Sequence, residues 1–374
     1  MEESNPPIWY NSVDIFNPQG SHYDIFKNRP GFDTFKHLFS YFSLNVSVTD
    51  RSGSVRLPIK SLVLDNLMIP QFKPQCQTFN ELCELRARQL LDLAAQTGRR
   101  IAIMYSGGID STLILVSFLK VASVQELRDL TVVLLSEISI RENPRFYHDY
   151  VKQHFPMDSS YLWHAYVGNP SYITVTGEGN DQLMGSAVVQ KIMLDRGEAV
   201  ALQPPNRAEV IHSLNHTTDN AQHSEKIADA FDRICASSPV ALPTLFHYFW
   251  WINFSLKWQT VYTRLFCWCA PRFRKTIKFE DNYFSFYHTP KFQLWSMNNT
   301  DRMIHGNWRS YKYHCKEIIY DFNGDRDYLD NKAKWGSLAR VMFTRDLPKA
   351  VTADLEFYDN DYPQDIWDDR NDFI

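Results

Sequence analysis

Apolar positions in the first half of the chain follow two different periods. From Thr78 to Gln96 they recur at helical spacing, through Phe79, Leu82, Leu85, Leu90, Leu91, Leu93 and Ala94. Thr78 and Asn80 are candidate N-caps, Glu81 and Glu84 suit the positive end of a helix, and Gly98 predicts its stop. Residues 100–105 (Arg-Ile-Ala-Ile-Met-Tyr) then form a short, almost unbroken apolar run, the pattern of a strand buried on both faces. Asp110 to Lys120 predicts a helix that is apolar nearly all round. Thr131 to Leu135 and Tyr172 to Thr176 predict two more buried strands, with a helix from Asn143-Pro144 to about His154 between them. Strands and helices in alternation predict an α/β core with a parallel sheet and right-handed crossovers.

The flanks read differently. Turn formers cluster at Asn17-Pro18-Gln19-Gly20, Asn28-Arg29-Pro30-Gly31 and Arg51-Ser52-Gly53. Leu44–Val48 and Val55–Ile59 alternate as strands do, and a turn at Asp50–Gly53 predicts a hairpin. Residues 1–76 are therefore expected to form a small β-containing N-terminal lobe. After Met184 the pattern becomes helical and irregular, broken at Gln203-Pro204-Pro205 and Ser237-Ser238-Pro239. Aromatic residues crowd a helical stretch from Leu245 to Cys269. At that spacing they predict core; the alternative is an aromatic-walled acceptor pocket faced by Trp251, Lys257, Trp258 and Arg264. Residues 351–374 read as an acidic and aromatic C-terminal tail.

Composition narrows the function classes. The 374 residues are 44% hydrophobic and 22% charged, which excludes wholesale disorder. No apolar run approaches the roughly 18 residues of a membrane span. Lys and Arg number 39 against 43 Asp and Glu, so at a net charge of −4 no global basic field holds a nucleic acid. A local run, Arg272, Arg274, Lys275 and Lys278, reads as solvated surface. The opening residues, MEESNPPIWY, lack the character of a secretory signal. The six cysteines (Cys76, Cys83, Cys235, Cys267, Cys269 and Cys315) form no CxxC pair and read as small buried side chains. A cytoplasmic location is expected.

The candidate chemistry begins where the first strand ends, at Tyr105-Ser106-Gly107-Gly108-Ile109-Asp110-Ser111-Thr112. Two glycines let the backbone turn tightly and approach an anion. Amides at the start of the following helix then face that anion, helped by the helix dipole. Ser106, Ser111 and Thr112 add hydroxyl donors. Asp110 conflicts with a phosphate unless it holds a cation such as Mg²⁺. The segment lacks the Lys of a Walker A loop and is not GxGxxG. The plain alternative is a turn that merely starts a helix.

This segment resembles the PP-loop, SGGxDS[ST], of the adenine nucleotide alpha-hydrolase-like superfamily, whose members split ATP between its α and β phosphates. The resemblance implies a Rossmann-like (HUP) core. It also implies that Ser106, Gly107, Gly108, Asp110, Ser111 and Thr112 bind ATP.

A second segment, Thr176-Gly177-Glu178-Gly179-Asn180-Asp181-Gln182-Leu183-Met184-Gly185, also follows a strand. Two acids three residues apart between glycines make a carboxylate turn; the alternative is a surface turn capping the next helix. It resembles the GEGxDExxGG segment of the asparagine synthetase C-terminal domain family, which includes β-lactam synthetases. Asn180 stands in place of the usual Ser and Gln182 in place of the usual Glu. The resemblance implies that Asp110 and Asp181 hold Mg²⁺, that Gly177 borders the nucleotide, and that Glu178 lies near the adenylate and the attacking amine. Fold analogy sets adenine against the second strand, near Leu134, Leu135 and Ser136.

A third segment, Lys316-Glu317-Ile318-Ile319-Tyr320-Asp321-Phe322, resembles the family's K-x-[ILV]-[ILV]-R-x-x-F, with Tyr320 replacing the Arg. Further on, Lys332-Ala333-Lys334-Trp335-Gly336-Ser337 resembles RxKxxFS. The resemblance implies that Lys316 contacts the leaving pyrophosphate and that Lys334 orders the loop; either could otherwise be solvated surface. It covers about residues 78–345, within a synthetase-like domain expected over 77–350. The family's glutamine-using members begin Met-Cys. Here Glu2 follows Met1 and the first cysteine is Cys76, so no Cys-based glutaminase is expected in the lobe. The implied activity is an amide ligase forming AMP and pyrophosphate, with ATP and Mg²⁺ as cofactors. It would adenylate a carboxylate, aspartate by default, for attack by ammonia or an amine, and a separate glutaminase is a possible partner. The alternatives are a tailoring ligase on a modified nucleotide, peptide or secondary metabolite, and a non-catalytic nucleotide-binding module.

Overall fold

A computed structural model describes residues 16, 18–20, 23–41, 48–57, 67–167, 169–218, 220–262, 279–333, 349–351 and 357–359. Ahead of the sheet lie helices α1 (Phe32–Tyr41) and α2 (Phe79–Thr97). In α2, Thr78 and Glu81 form the reciprocal capping box, and Gly98 closes the helix at φ 64°, donating to the carbonyls of Ala94 and Ala95. Both ends of this helix are thus fixed by local chemistry.

The core is a five-stranded, all-parallel sheet in the order β3-β2-β1-β4-β5. Its strands are β1 (Arg100–Met104), β2 (Thr131–Leu135), β3 (Met157–Ser159), β4 (Tyr172–Thr176) and β5 (Tyr283–Ser285). β1 is central: Ile101 pairs with Thr131 on one side and with Ile173 on the other. Covered on both faces, it needs an unbroken apolar run. The crossover from β1 to β2 contains α3 (Ile109–Val121) and α4 (Val124–Leu130). Ile109 and the eight consecutive residues Ser111 to Phe118 of α3 are buried, which explains its apolar character nearly all round, with Asp110 left on the crevice side. α5 (Glu137–Glu142) follows β2, capped reciprocally by Ser136 and Ser139. The helix expected from Pro144 to His154 is interrupted by a π-turn over Tyr147–Val151.

Three strands were legible in the sequence; the other two, β3 and β5, have three residues each and carry too few positions for a period. β5 is also the most distant contribution, reaching β4 from more than a hundred residues along the chain.

Beyond β4 lie α6 (Asn180–Met184), α7 (Ala221–Ala236), α8 (Leu245–Leu256), α9 (Pro290–Asn298), α10 (Tyr313–Asn323) and α11 (Arg326–Asn331). All twelve residues of α8 except His247 are buried. Trp250, Trp251 and Trp258 are at most 1% exposed, and Trp251 Nε1 donates to the carbonyl of Ile234. The aromatic stretch is core as far as residue 262; Arg264, Cys267, Cys269 and the basic run at 272–278 lie outside the described residues.

The expected N-terminal hairpin falls mainly on residues 42–47 and 58–66, outside the described residues, while 55–57 are not in a strand. Residues near 50 are bound into the core. The amide of Arg51 donates to the carbonyl of Ser255, and its guanidinium reaches the carbonyls of Leu67 and Phe254 and the side chain of Gln293. Leu38, Val48 and Leu67 share one buried cluster with β1. Near the C-terminus, β6 (Lys349–Val351) and β7 (Phe357–Asp359) form an antiparallel pair. No helix among the described residues is long and apolar enough to cross a membrane.

Candidate functional site

The strand order places β2 and β3 on one side of β1 and β4 and β5 on the other. The chain therefore changes direction between β1 and β4, and the loops leaving their C-terminal ends open a crevice where α/β sheets bind ligands. Those loops are the two glycine-containing segments.

The first runs from Ser106 to Gly108. Gly107 has φ 75°, a conformation that a side chain resists, and a Cβ there would lie 2.2 Å from the carbonyl oxygen of Ser139 and 2.6 Å from Glu142 Cβ. Position 107 is confined to glycine, because α5 presses on it. Gly108 is the N-cap of α3 and supplies no side-chain cap. The amides of the first turn consequently keep donor capacity toward the crevice. The hydroxyls brace the loop: Ser111 Oγ accepts from the Ser106 amide at 3.2 Å and lies 3.1 Å from Ser106 Oγ, while Thr112 Oγ1 donates to the Gly107 carbonyl at 3.4 Å.

The second loop rests directly on the first helix. A Cβ on Gly177 would sit 3.1 Å from Asp110 Cβ, and one on Gly179, at φ 91°, would enter the His288 ring at 2.3 Å. Ser285, at the end of β5, donates to the carbonyl of Glu178. Asn180 Nδ2 donates to Asp110 Oδ1 at 2.6 Å and so ties the second loop to the first turn of α3. Asp110 and Asp181 are partly exposed on this crevice.

Between the two carboxylates lies a cation that the sequence reading did not anticipate. Lys312 Nζ donates to Asp110 Oδ1 and Oδ2 at 2.5 and 2.6 Å, and lies 2.7 Å from Asp181 Oδ1. Its side chain is 0% exposed. Lys312 has φ 59°, the only non-glycine residue with positive φ among those described, and it sits at the N-cap of α10. Burial acts to lower the pKa of its ammonium, but Asp110 and Asp181 outweigh burial and hold it above the usual lysine value. Tyr311 and Tyr287 complete the cluster: Tyr311 OH donates to Asp181 Oδ1 at 3.2 Å, and Tyr287 OH donates to the Asp110 carbonyl at 2.9 Å. Burial pushes both phenols well above their ordinary range.

This arrangement bears on the magnesium ion expected at Asp110 and Asp181. Magnesium takes about six oxygen ligands at about 2.1 Å. The Lys312 ammonium already lies between three of the carboxylate oxygens that would coordinate an ion shared by this pair. Among the described residues no group of three or more His, Cys, Asp or Glu converges as a metal centre. With Lys312 in place, the pair does not fit a protein-bound magnesium ion.

Lys316 lies one helical turn beyond Lys312, its amide donating to the Lys312 carbonyl. Its ammonium is directed at two backbone carbonyls, Arg309 at 2.5 Å and Lys332 at 3.2 Å. Burial lowers it to about 8. Lys334 lies outside the described residues, but Lys332 is bound to Glu142 Oε1 at 2.7 Å and to the Glu142 carbonyl at 2.9 Å. That bridge lines a cavity of about 370 Å³ walled also by Asn143, Arg145, Asp325 and Tyr328. Leu135 is fully buried at the end of β2, the Leu134 carbonyl accepts from the Tyr105 amide, and the Ser136 amide donates to Ser139. These three therefore frame the β2 edge of the crevice with groups already partnered inside the protein.

Compared with known proteins, the chain matches no protein-family model and no curated protein.

Proposed function

We propose that the chain is an ATP-dependent amide ligase of the asparagine synthetase type, forming AMP and pyrophosphate. The observation that carries this reading is the convergence of Ser106–Thr112 and Gly177–Asp181 on one crevice at the β1–β4 switch point, tied by the 2.6 Å bond from Asn180 to Asp110. Two segments separated by about seventy residues resemble two successive motifs of one family, and the fold brings them into contact.

The chemistry follows from the leaving group. A carboxylate cannot transfer its acyl group to an amine while oxide must leave. Attack of that carboxylate on the α-phosphate of ATP expels pyrophosphate and makes AMP the leaving group. The protein's part is position and charge. In this reading the α3 amides and the hydroxyls of Ser106, Ser111 and Thr112 receive the phosphates, Gly177 keeps the second loop close, and Glu178 orients the amine or takes its proton. Lys316 orders the segment that leads to Lys334. Magnesium, which neutralises phosphate charge, is carried in this scheme by the nucleotide. Aspartate is the default carboxylate and ammonia or an amine the acceptor. A tailoring ligase on a nucleotide, peptide or secondary metabolite uses the same steps.

One observation favours a second reading, a nucleotide-binding module without turnover. Among the described residues, Lys312 and Lys316 are both engaged internally, Lys312 by carboxylates and Lys316 by carbonyls. Product analysis separates the two. The protein is incubated with ATP, MgCl₂, ammonium and a panel of carboxylates led by aspartate, beside Asp110→Asn. AMP plus pyrophosphate that depends on one carboxylate and disappears in the variant supports the ligase. ADP plus phosphate, or activity indifferent to the variant, refutes it. ATP binding without turnover supports the module.

A further inference from the structure

Asp110 and Asp181 face one another across the crevice, and carboxylates so placed repel unless a cation lies between them. The cation here is part of the chain. An ammonium has three donors. Those of Lys312 are accounted for by Asp110 Oδ1, Asp110 Oδ2 and Asp181 Oδ1, at 2.5 to 2.7 Å. The stem is fixed at both ends. Its amide donates to the Met303 carbonyl and its carbonyl accepts from the Lys316 amide, while the ammonium lies 5.6 Å from the Tyr311 ring centre. The left-handed backbone of Lys312, at φ 59°, is one that a side-chain-bearing residue rarely adopts. That conformation is what turns the stem back from the start of α10 toward the loop after β1.

We infer that Lys312 is a built-in replacement for a divalent cation. The Asp110–Asp181 pair takes its counter-charge from the chain, and nucleotide binding does not depend on a metal held by these carboxylates. The inference deepens the ligase reading and rests on it in one respect, that the crevice receives a nucleotide. It separates this chain from a PP-loop site in which the same two acids hold magnesium. It also explains why so buried a lysine is found on the crevice and not on the surface.

Manganese, followed by electron paramagnetic resonance, is the probe for the pair. The chain is titrated with MnCl₂ as wild type, Asp181→Asn, Lys312→Met and Lys312→Met/Asp181→Asn. Wild type is expected to bind no Mn²⁺ at the pair. Lys312→Met exposes both carboxylates and is expected to bind Mn²⁺ about tenfold or more tightly than wild type. The double variant should lose that gain. Because Lys312→Met leaves two uncompensated carboxylates, its folding is measured in the same samples. Added Mn²⁺ should raise its melting temperature and leave wild type unmoved. Wild-type Mn²⁺ binding that Asp181→Asn abolishes overturns the inference, and so does a Lys312→Met protein that gains neither Mn²⁺ nor stability. A fluorescent ATP analogue is titrated separately in EDTA and in MgCl₂. The gain from magnesium is compared in wild type and Asp181→Asn: a gain equal within about twofold in the two proteins belongs to the nucleotide's own magnesium and supports the inference, and a gain that Asp181→Asn abolishes overturns it. Absence of nucleotide binding in both buffers refutes the ligase reading, while the manganese titration still decides the role of Lys312.

Discussion

The ammonium of Lys312 bridges both side-chain oxygens of Asp110 across a separation of 202 residues, joining the first turn of α3 to the start of α10. Removing one partner of a buried pair leaves the other charge uncompensated, typically at about 3–5 kcal/mol. Asp181 remains as a second partner and the Asp110 side chain is 23% exposed, so the loss here is smaller. Asp110→Asn is expected to lower unfolding stability by about 1–3 kcal/mol. It should also abolish AMP formation. Chemical denaturation and a pyrophosphate-release assay check the two effects. An unchanged midpoint would mean that the ion pair contributes nothing to the fold.

Two glycines with similar backbone angles offer a controlled contrast. Gly107 has φ 75° and Gly98 has φ 64°, but a Cβ on Gly98 meets nothing within 4 Å, whereas on Gly107 it meets the Ser139 carbonyl at 2.2 Å. Gly98→Ala adds only the left-handed strain, about 1–2 kcal/mol. Gly107→Ala adds the clash with α5 as well and is expected to cost about 2 kcal/mol beyond that. It should also lose nucleotide affinity, which Gly98→Ala keeps. Thermal melts of both variants and titration with a fluorescent ATP analogue measure the difference. Equal destabilisation by the two substitutions would show that α5 does not confine the loop.

The parts of this molecule legible in the sequence are those whose causes are local. The helix between Thr78 and Gly98 follows from a capping box and a left-handed glycine, both short-range devices. β1, β2 and β4 announce themselves as apolar runs because both their faces are covered. The two loops carry their glycines where the backbone needs them. Lys312 was not legible, because its role depends on a positive φ and on partners 131 and 202 residues away in sequence. Motif resemblance selected Lys316, one helical turn later, whose ammonium is turned to carbonyls. A hint lay in Tyr311-Lys312-Tyr313, a cation between aromatics at the start of an amphipathic helix. The short strands β3 and β5 and the attachment of residues 48–57 to α8 are tertiary facts without a local period.

That attachment turns on one side chain. Arg51 is 8% exposed, and its guanidinium donates to the Leu67 and Phe254 carbonyls at 2.5 Å and to Gln293 at 2.9 Å while lying over the Phe254 and Trp258 rings. Arg51→Met leaves buried acceptors without donors, each at about 1–3 kcal/mol, and is expected to destabilise the fold by about 3 kcal/mol. Arg51→Lys retains a cation without the planar fork and should recover less than half of that loss. Urea melts of the three proteins give the comparison. A lysine variant as stable as wild type would show that charge alone anchors the segment.

Lys316 yields a pH test with a defined sign. Burial lowers its pKa from 10.5 to about 8 in the folded chain. Between those values the unfolded chain binds more protons than the folded one, so stability rises with pH across that window. Below about pH 8 both states are protonated and the full cost of burying the charge is present. Lys316→Met removes this titration and leaves every other group in place. The stability of wild type relative to the variant should therefore increase by about 1 kcal/mol or more between about pH 7 and about pH 10. Paired urea melts across that range measure the increment, with the common titrations of tyrosine and cysteine cancelling in the difference. A difference that is flat with pH would mean that the two carbonyls of Arg309 and Lys332 hold the ammonium charged throughout, and Lys316 would then be a fixed cation on α10.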